Sequence, residues 1–107
     1  MSMQEPGLDR HDWESRLESL DEGLHDDPAQ TLPELADLVE AMLLDAGYDI
    51  ADPIADEGDE REVLLELRAA REVSDRVERG EDVDPGDVAA AIQGLRTLAG
   101  HLLTRLD

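Results

Sequence analysis

Three histidines (His11, His25 and His101) and 29 acidic residues are the groups in this 107-residue chain able to ligate a metal or move a proton. Glu22-x-x-His25 has the two-residue gap that di-iron carboxylate bundles use, because residues three apart share one face of a helix. Such a site needs a second motif of the same kind and two more inward-facing glutamates. His101 has Leu98 at that offset, so Glu22 and His25 read as a helix-end histidine beside acids. Asp49, Asp52, Asp56, Glu57, Asp59 and Glu60 crowd around Gly58 without the ligand spacing of a calcium loop. Weak, nonspecific cation association is expected of them.

Nucleophilic catalysis finds as little support. The chain has no cysteine, which excludes thiol nucleophiles, thiolate metal sites and disulfides. Folding can gather a serine, a histidine and an aspartate from distant positions, but Ser15, Ser19 and Ser74 fall within helical patterns and nothing singles them out. Ser74 reads as a small residue at a helix crossing. The glycines form no phosphate-binding loop and no dinucleotide motif. No catalytic, metal-ligating or cofactor-binding residue is assigned, and a non-enzymatic protein is expected.

The charge balance bears on partners. Nine arginines and no lysine oppose the 29 acids, for a formal charge of -20. In dilute buffer so much like charge repels itself and weakens the compact state. At molar ionic strength the screening length falls to roughly 3 Å and most of that penalty disappears. The pattern reads as halophilic adaptation; a GC-rich genome that encodes Arg in place of Lys, together with an acidic partner-facing surface, is the alternative. Phosphate affinity comes mainly from Lys and Arg clusters, and Arg61, Arg68, Arg71, Arg76 and Arg79 are interleaved with acids, so no nucleic-acid partner is expected. The amino terminus lacks the basic start and apolar run of a signal peptide, and no apolar stretch has the length of a membrane span. A cytoplasmic location without a membrane partner is the expectation.

The elements that must position these residues are helical. Hydrophobic residues make up 40% of the chain, and Trp13 and Tyr48 are its only aromatics, so the core is aliphatic and suits helix-on-helix packing. The expectation is an all-α, compact bundle of about four helices, one domain over residues 9–107 behind a flexible lead-in of residues 1–8. The first helix is expected from about Asp9 to Leu24, with Trp13, Leu17, Leu20 and Leu24 on one stripe. Thr31-Leu32-Pro33-Glu34 reads as a capping box that starts the second helix at Leu32, and Gly47 is placed to close it. Asp49 to Gly58 reads as a loop anchored by Ile50 and Ile54. The third helix follows from about Asp59 to Arg79, with Val63, Leu67, Ala70, Ser74 and Val77 facing the core, salt-bridge spacing among its arginines, and Gly80 as its stop. Leu64 and Leu65 flank its arginine-bearing face and are expected to be covered. Asp84-Pro85 starts the fourth helix, and the short Gly80–Asp84 link predicts that the last two helices form an antiparallel hairpin.

That fourth helix is unusual on its second face. Val88, Ile92, Leu95, Ala99, Leu102 and Leu106 form its apolar stripe, while Ala90, Gln93, Gly94, Thr97, Gly100, His101 and Thr104 fall opposite at about 100° per residue. None of these seven is acidic. A solvated face of so acidic a protein should carry Asp and Glu, and each glycine costs about 1 kcal/mol of helix propensity relative to Ala. Either the helix is central and covered on both sides by its own bundle, or this face is a dimer seam, or it is simply exposed.

The run from Arg61-Glu62-Val63-Leu64 through Ala69-Ala70-Arg71-Glu72, then Val77-Glu78-Arg79-Gly80-Glu81-Asp82-Val83-Asp84-Pro85-Gly86-Asp87, resembles small acidic proteins of haloarchaea and other GC-rich microbes. The resemblance covers mostly the last helical hairpin, implies no activity and supplies no functional residues. The leading functional expectation is a non-enzymatic helical protein-interaction module that self-associates as a homodimer through the fourth helix or binds another protein; the alternative is a bundle that binds a metal or a small ligand through His and carboxylates.

Overall fold

Apolar residues recurring every third or fourth position place four helices, and the computed structural model, described for residues 10–48 and 58–104, contains them as α1 (Arg10–Asp26), α2 (Pro28–Asp45), α3 (Gly58–Glu78) and α4 (Pro85–Thr104). The protein is an all-α bundle ending in the α3–α4 antiparallel hairpin, with no strand among the described residues. The lead-in over residues 1–8, the loop with Ile50 and Ile54, Leu106 and the Arg61 side chain lie outside the described residues.

The central helix is α2. It packs against α1, α3 and α4, whereas α1 and α4 barely meet. Its Leu32, Leu35, Ala36, Val39, Met42 and Leu43 are all buried, as a helix packed against three others requires. Of the three alternatives for the fourth helix, cover on both sides by its own bundle does not hold: α4 buries one side only.

A single non-helical residue, Asp27 (φ -146, ψ 76), joins α1 to α2. Its N–H still donates to Gly23 O at 2.8 Å, its carbonyl accepts from Thr31 N at 3.1 Å, and its carboxylate accepts from Gln30 N at 3.3 Å. The expected capping box at Thr31 does not form, because Asp27-Pro28 begins the helix one turn earlier. Asp caps orphan N–H groups, and Pro at the first position loses no hydrogen bond there. Thr31 is consequently buried, its Oγ1 donating to Asp27 O at 2.9 Å.

Both glycine stops act as their positions suggest. Gly47 (φ +96) and Gly80 (φ +79) are left-handed, and paired bonds close each helix: Tyr48 N to Leu43 O with Gly47 N to Leu44 O, and Glu81 N to Arg76 O with Gly80 N to Val77 O. Asp84 then caps α4, its Oδ1 accepting from Gly86 N at 2.8 Å.

On α3, Leu67, Ala70 and Ser74 are buried and Val63 and Val77 half-buried. Leu64 is buried as expected, but Leu65 is 52% exposed; cover within the chain holds for Leu64 alone. The arginine pairing also differs. Arg71 reaches across to α2, with Nη2 donating to Asp37 Oδ1 at 2.6 Å and to Glu40 Oε1 at 2.7 Å, and Nε donating to Glu40 Oε1 at 2.9 Å. Arg76 and Arg79 meet Glu81 in the following turn. The fork of donors on a planar guanidinium lets one arginine bond two carboxylates across the helix gap.

Candidate interaction face on the fourth helix

The helical period of α4 separates a dry side from a wet one. Val88, Ala91, Leu95, Leu98, Ala99 and Leu102 are buried, and 180° away Ala90, Gln93, Thr97, Gly100, His101 and Thr104 are all exposed. Gly94 is half-buried at the edge of this strip. Cover by the protein's own bundle is therefore overturned for every one of the seven residues except Gly94.

The seven do not converge on one pocket. Gly94, Thr97 and His101 line a cleft of about 330 Å³ shared with Glu62, Val63 and Glu66 of α3. Ala90 borders a smaller groove toward α3. Gln93 and Gly100 look the other way, onto two grooves that open toward α1. The residues form a raised strip between two rows of clefts, a shape suited to contact with another surface rather than to enclosing a small substrate.

Order within the strip was not evident from helical sectors alone. Ala90, Gln93, Thr97, Gly100 and Thr104 follow one another at intervals of three and four, the spacing of a coiled-coil seam. Gly94 and His101 lie beside that seam on the α3 side, and Arg96 lies beside it on the α1 side, where it donates to Asp21 Oδ1 at 3.1 Å. The hydroxyls of the seam are already used: Thr97 Oγ1 donates to Gln93 O at 3.0 Å and Thr104 Oγ1 to His101 O at 2.7 Å. Removing such groups from water leaves no donor unpaired, which lowers the cost of burying them.

Gly94 has a distinct role. A methyl group there would collide with Glu66 Oε2, so the missing side chain is what admits the Glu66 carboxylate to the α3–α4 cleft. At Gly100 nothing among the described residues lies within 4 Å of the Cβ position; no contact among them accounts for a glycine there.

Glu62 and Glu66 border the strip on the α3 side, whereas the groups with shifted titration lie away from it. Burial lowers the pKa of Arg71, but the hydrogen bonds and charges of Glu40 and Asp37 more than offset it and hold the group above its ordinary value. The hydrogen bond from Arg79, and then the Arg76 contacts, hold Glu81 below the usual glutamate range. Among the described residues no three of the His, Asp and Glu side chains are placed to share a metal ion, and Glu22 and His25 are both exposed. The acids between Asp49 and Glu60 lie outside the described side chains. No helix among the described residues is long and apolar enough to cross a membrane. Comparison with protein-family models, with curated proteins and with solved structures returned no match.

Proposed function

We propose that the chain is a non-enzymatic helical interaction module that pairs with a second copy of itself through the outer strip of α4. One observation carries the reading: from Ala89 to Thr104 the exposed positions hold no carboxylate, in a chain whose formal charge is -20. The exposed faces of α1, α2 and α3 carry acids such as Glu18, Asp37 and Glu72. Two copies meeting on any of those faces bury like charges, which is costly. On the α4 strip they bury Gln93 and small residues, with the Thr97 and Thr104 hydroxyls already bonded within the helix.

The strip is also suited to a two-fold axis, where one surface must fit itself. With two α4 helices antiparallel about a point between Thr97 and Gly100, Thr97 faces Gly100 and Gln93 faces Thr104. Small side chains allow close approach of the backbones. The seam is short against interfaces that bury about 1,200 Å² or more, so the dimer is expected to depend on protein concentration. A salty cytoplasm is the proposed setting, because screening removes the long-range repulsion between two acidic copies.

Light scattering coupled to size exclusion at molar salt is expected to give a mass that rises from monomer toward dimer with concentration. Because the chain has no cysteine, Thr97→Cys mixed with Gly100→Cys, the residue it faces, gives one reporter pair and is expected to form a disulfide-linked dimer under oxidation. Gly100→Ala should raise the stability of the isolated chain by about 0.4–1 kcal/mol while weakening association. A monomer mass at every concentration, with no cross-link between Thr97→Cys and Gly100→Cys, would sink this reading.

A further inference from the structure

The loose meeting of α1 and α4 leaves a second surface that shares only Gln93 with the self-pairing seam. A groove of about 640 Å³ runs between the α1–α2 corner and the start of α4. Leu24 and Val88 form a buried floor, 8% and 3% exposed, and Ala29, Val83 and Ile92 are half-buried walls. Pro28, Pro85 and Ala89 make an exposed rim. Apolar surface grading from floor to rim in this way accepts side chains that enter from outside.

We propose that this groove receives a basic amphipathic helix of another protein. The argument is complementarity in both properties of such a helix. Its apolar side chains, spaced at three and four residues, fit a groove walled by helices on both sides. Its cations meet the acids of the two elements that build the groove: Asp26 and Asp27 at the corner, Asp84 and Asp87 at the start of α4, all exposed. Arg96, the cation among the lining residues, is held by Asp21, so the rim keeps its negative sign. A second copy of this chain does not fit, because its own arginines are interleaved with acids and its net charge is -20. The charge also steers a basic partner toward the surface and repels an acidic one.

The test uses the full chain and a labelled four-turn synthetic helix with leucines on one face and lysines and arginines on the other, followed by fluorescence anisotropy. Saturable one-to-one binding is expected, together with amide shift changes over Leu24–Ala29 and Val83–Ile92. Ala89→Arg places bulk and positive charge on the exposed rim and is expected to weaken binding by about tenfold or more with an unchanged thermal melt. Gly100→Trp, which blocks the α4 strip, should leave peptide binding intact and so separates this site from the self-pairing. The proposal is overturned if the peptide with serines for its leucines binds equally well, which is attraction to a polyanion only. It is equally overturned if a glutamate-faced helix binds as tightly, or if Ala89→Arg has no effect.

Discussion

Thr31 Oγ1 occupies the space in which a side chain on Gly23 would begin: a methyl group at residue 23 would lie 2.7 Å from that oxygen and 3.2 Å from the Thr31 methyl. This contact closes the corner between α1 and α2. Thr31 is 6% exposed and bonded to Asp27 O, so it has little freedom to move aside. Gly23→Ala gains about 1 kcal/mol of helix propensity but overpacks the corner, a cost of about 1–3 kcal/mol, and net destabilisation is expected in urea unfolding. Thr31→Ala leaves only a Cβ, at 3.5 Å, which is ordinary contact. The double variant should therefore lose clearly less than the sum of the two single ones; strict additivity would show that the corner is not packed this way.

The same substitution at Gly94 should have the opposite sign. The neighbouring atoms belong to the end of the Glu66 side chain, and Glu66 is exposed and free to swing into water. Gly94→Ala then keeps its propensity gain of about 0.4–1 kcal/mol, readable as a higher thermal midpoint. A loss of stability would mean that the Glu66 carboxylate is held in the α3–α4 cleft by something stronger than packing.

These two glycines show where sequence reasoning reached and where it stopped. Gly47 and Gly80 were legible because a glycine just past an apolar period marks a left-handed helix end, a purely local matter. The start of α4 was legible for the same reason, in Asp84-Pro85. The start of α2 was not, since Asp27-Pro28 and Thr31-x-x-Glu34 are both valid local signals and only the tertiary corner decides between them. Burying Thr31 against Gly23 is a contact between helices, which periodicity does not encode. The α4 strip was visible as an absence of charge, but that α2 rather than α4 is central depends on which helices pack together, as does the reach of Arg71 to Asp37 and Glu40.

Glu81 supplies a test by pH. Its hydrogen bond from Arg79 holds its folded pKa below that of the unfolded chain, so it adds stability above the ordinary glutamate range and loses it as pH falls through the folded value. Glu81→Gln is expected to lower the thermal midpoint at neutral pH. The gap between the two proteins should then close on acidification, only after the pH has dropped below the usual glutamate range. Taking the difference removes the effect of every other carboxylate, each of which also sheds charge as the pH falls. A gap that stays constant down to strongly acid pH would show that the Arg79–Glu81 bond does not hold the turn after α3.

Salt should act on the whole molecule in the reverse of the usual sense for ion pairs. Among the described residues, pairs that added salt weakens are exposed ones such as Arg10–Glu14 and Arg96–Asp21, and exposed pairs contribute about 0–1 kcal/mol each. The repulsion that salt relieves arises from 29 acids against nine arginines. Between about 0.1 M and 1 M the screening length shortens from about 10 Å to about 3 Å, so repulsion between neighbouring acidic faces largely vanishes while the core is unchanged. The thermal midpoint is expected to climb with KCl, by about 4–8 °C for each kcal/mol of repulsion removed. Self-repulsion depends on ionic strength, whereas salting-out depends on the kind of ion and is stronger for sulfate. Chloride and sulfate compared at equal ionic strength should therefore give nearly the same rise through the lower part of the range. A rise that appears only with sulfate would assign the stabilisation to apolar burial and remove charge repulsion as its cause.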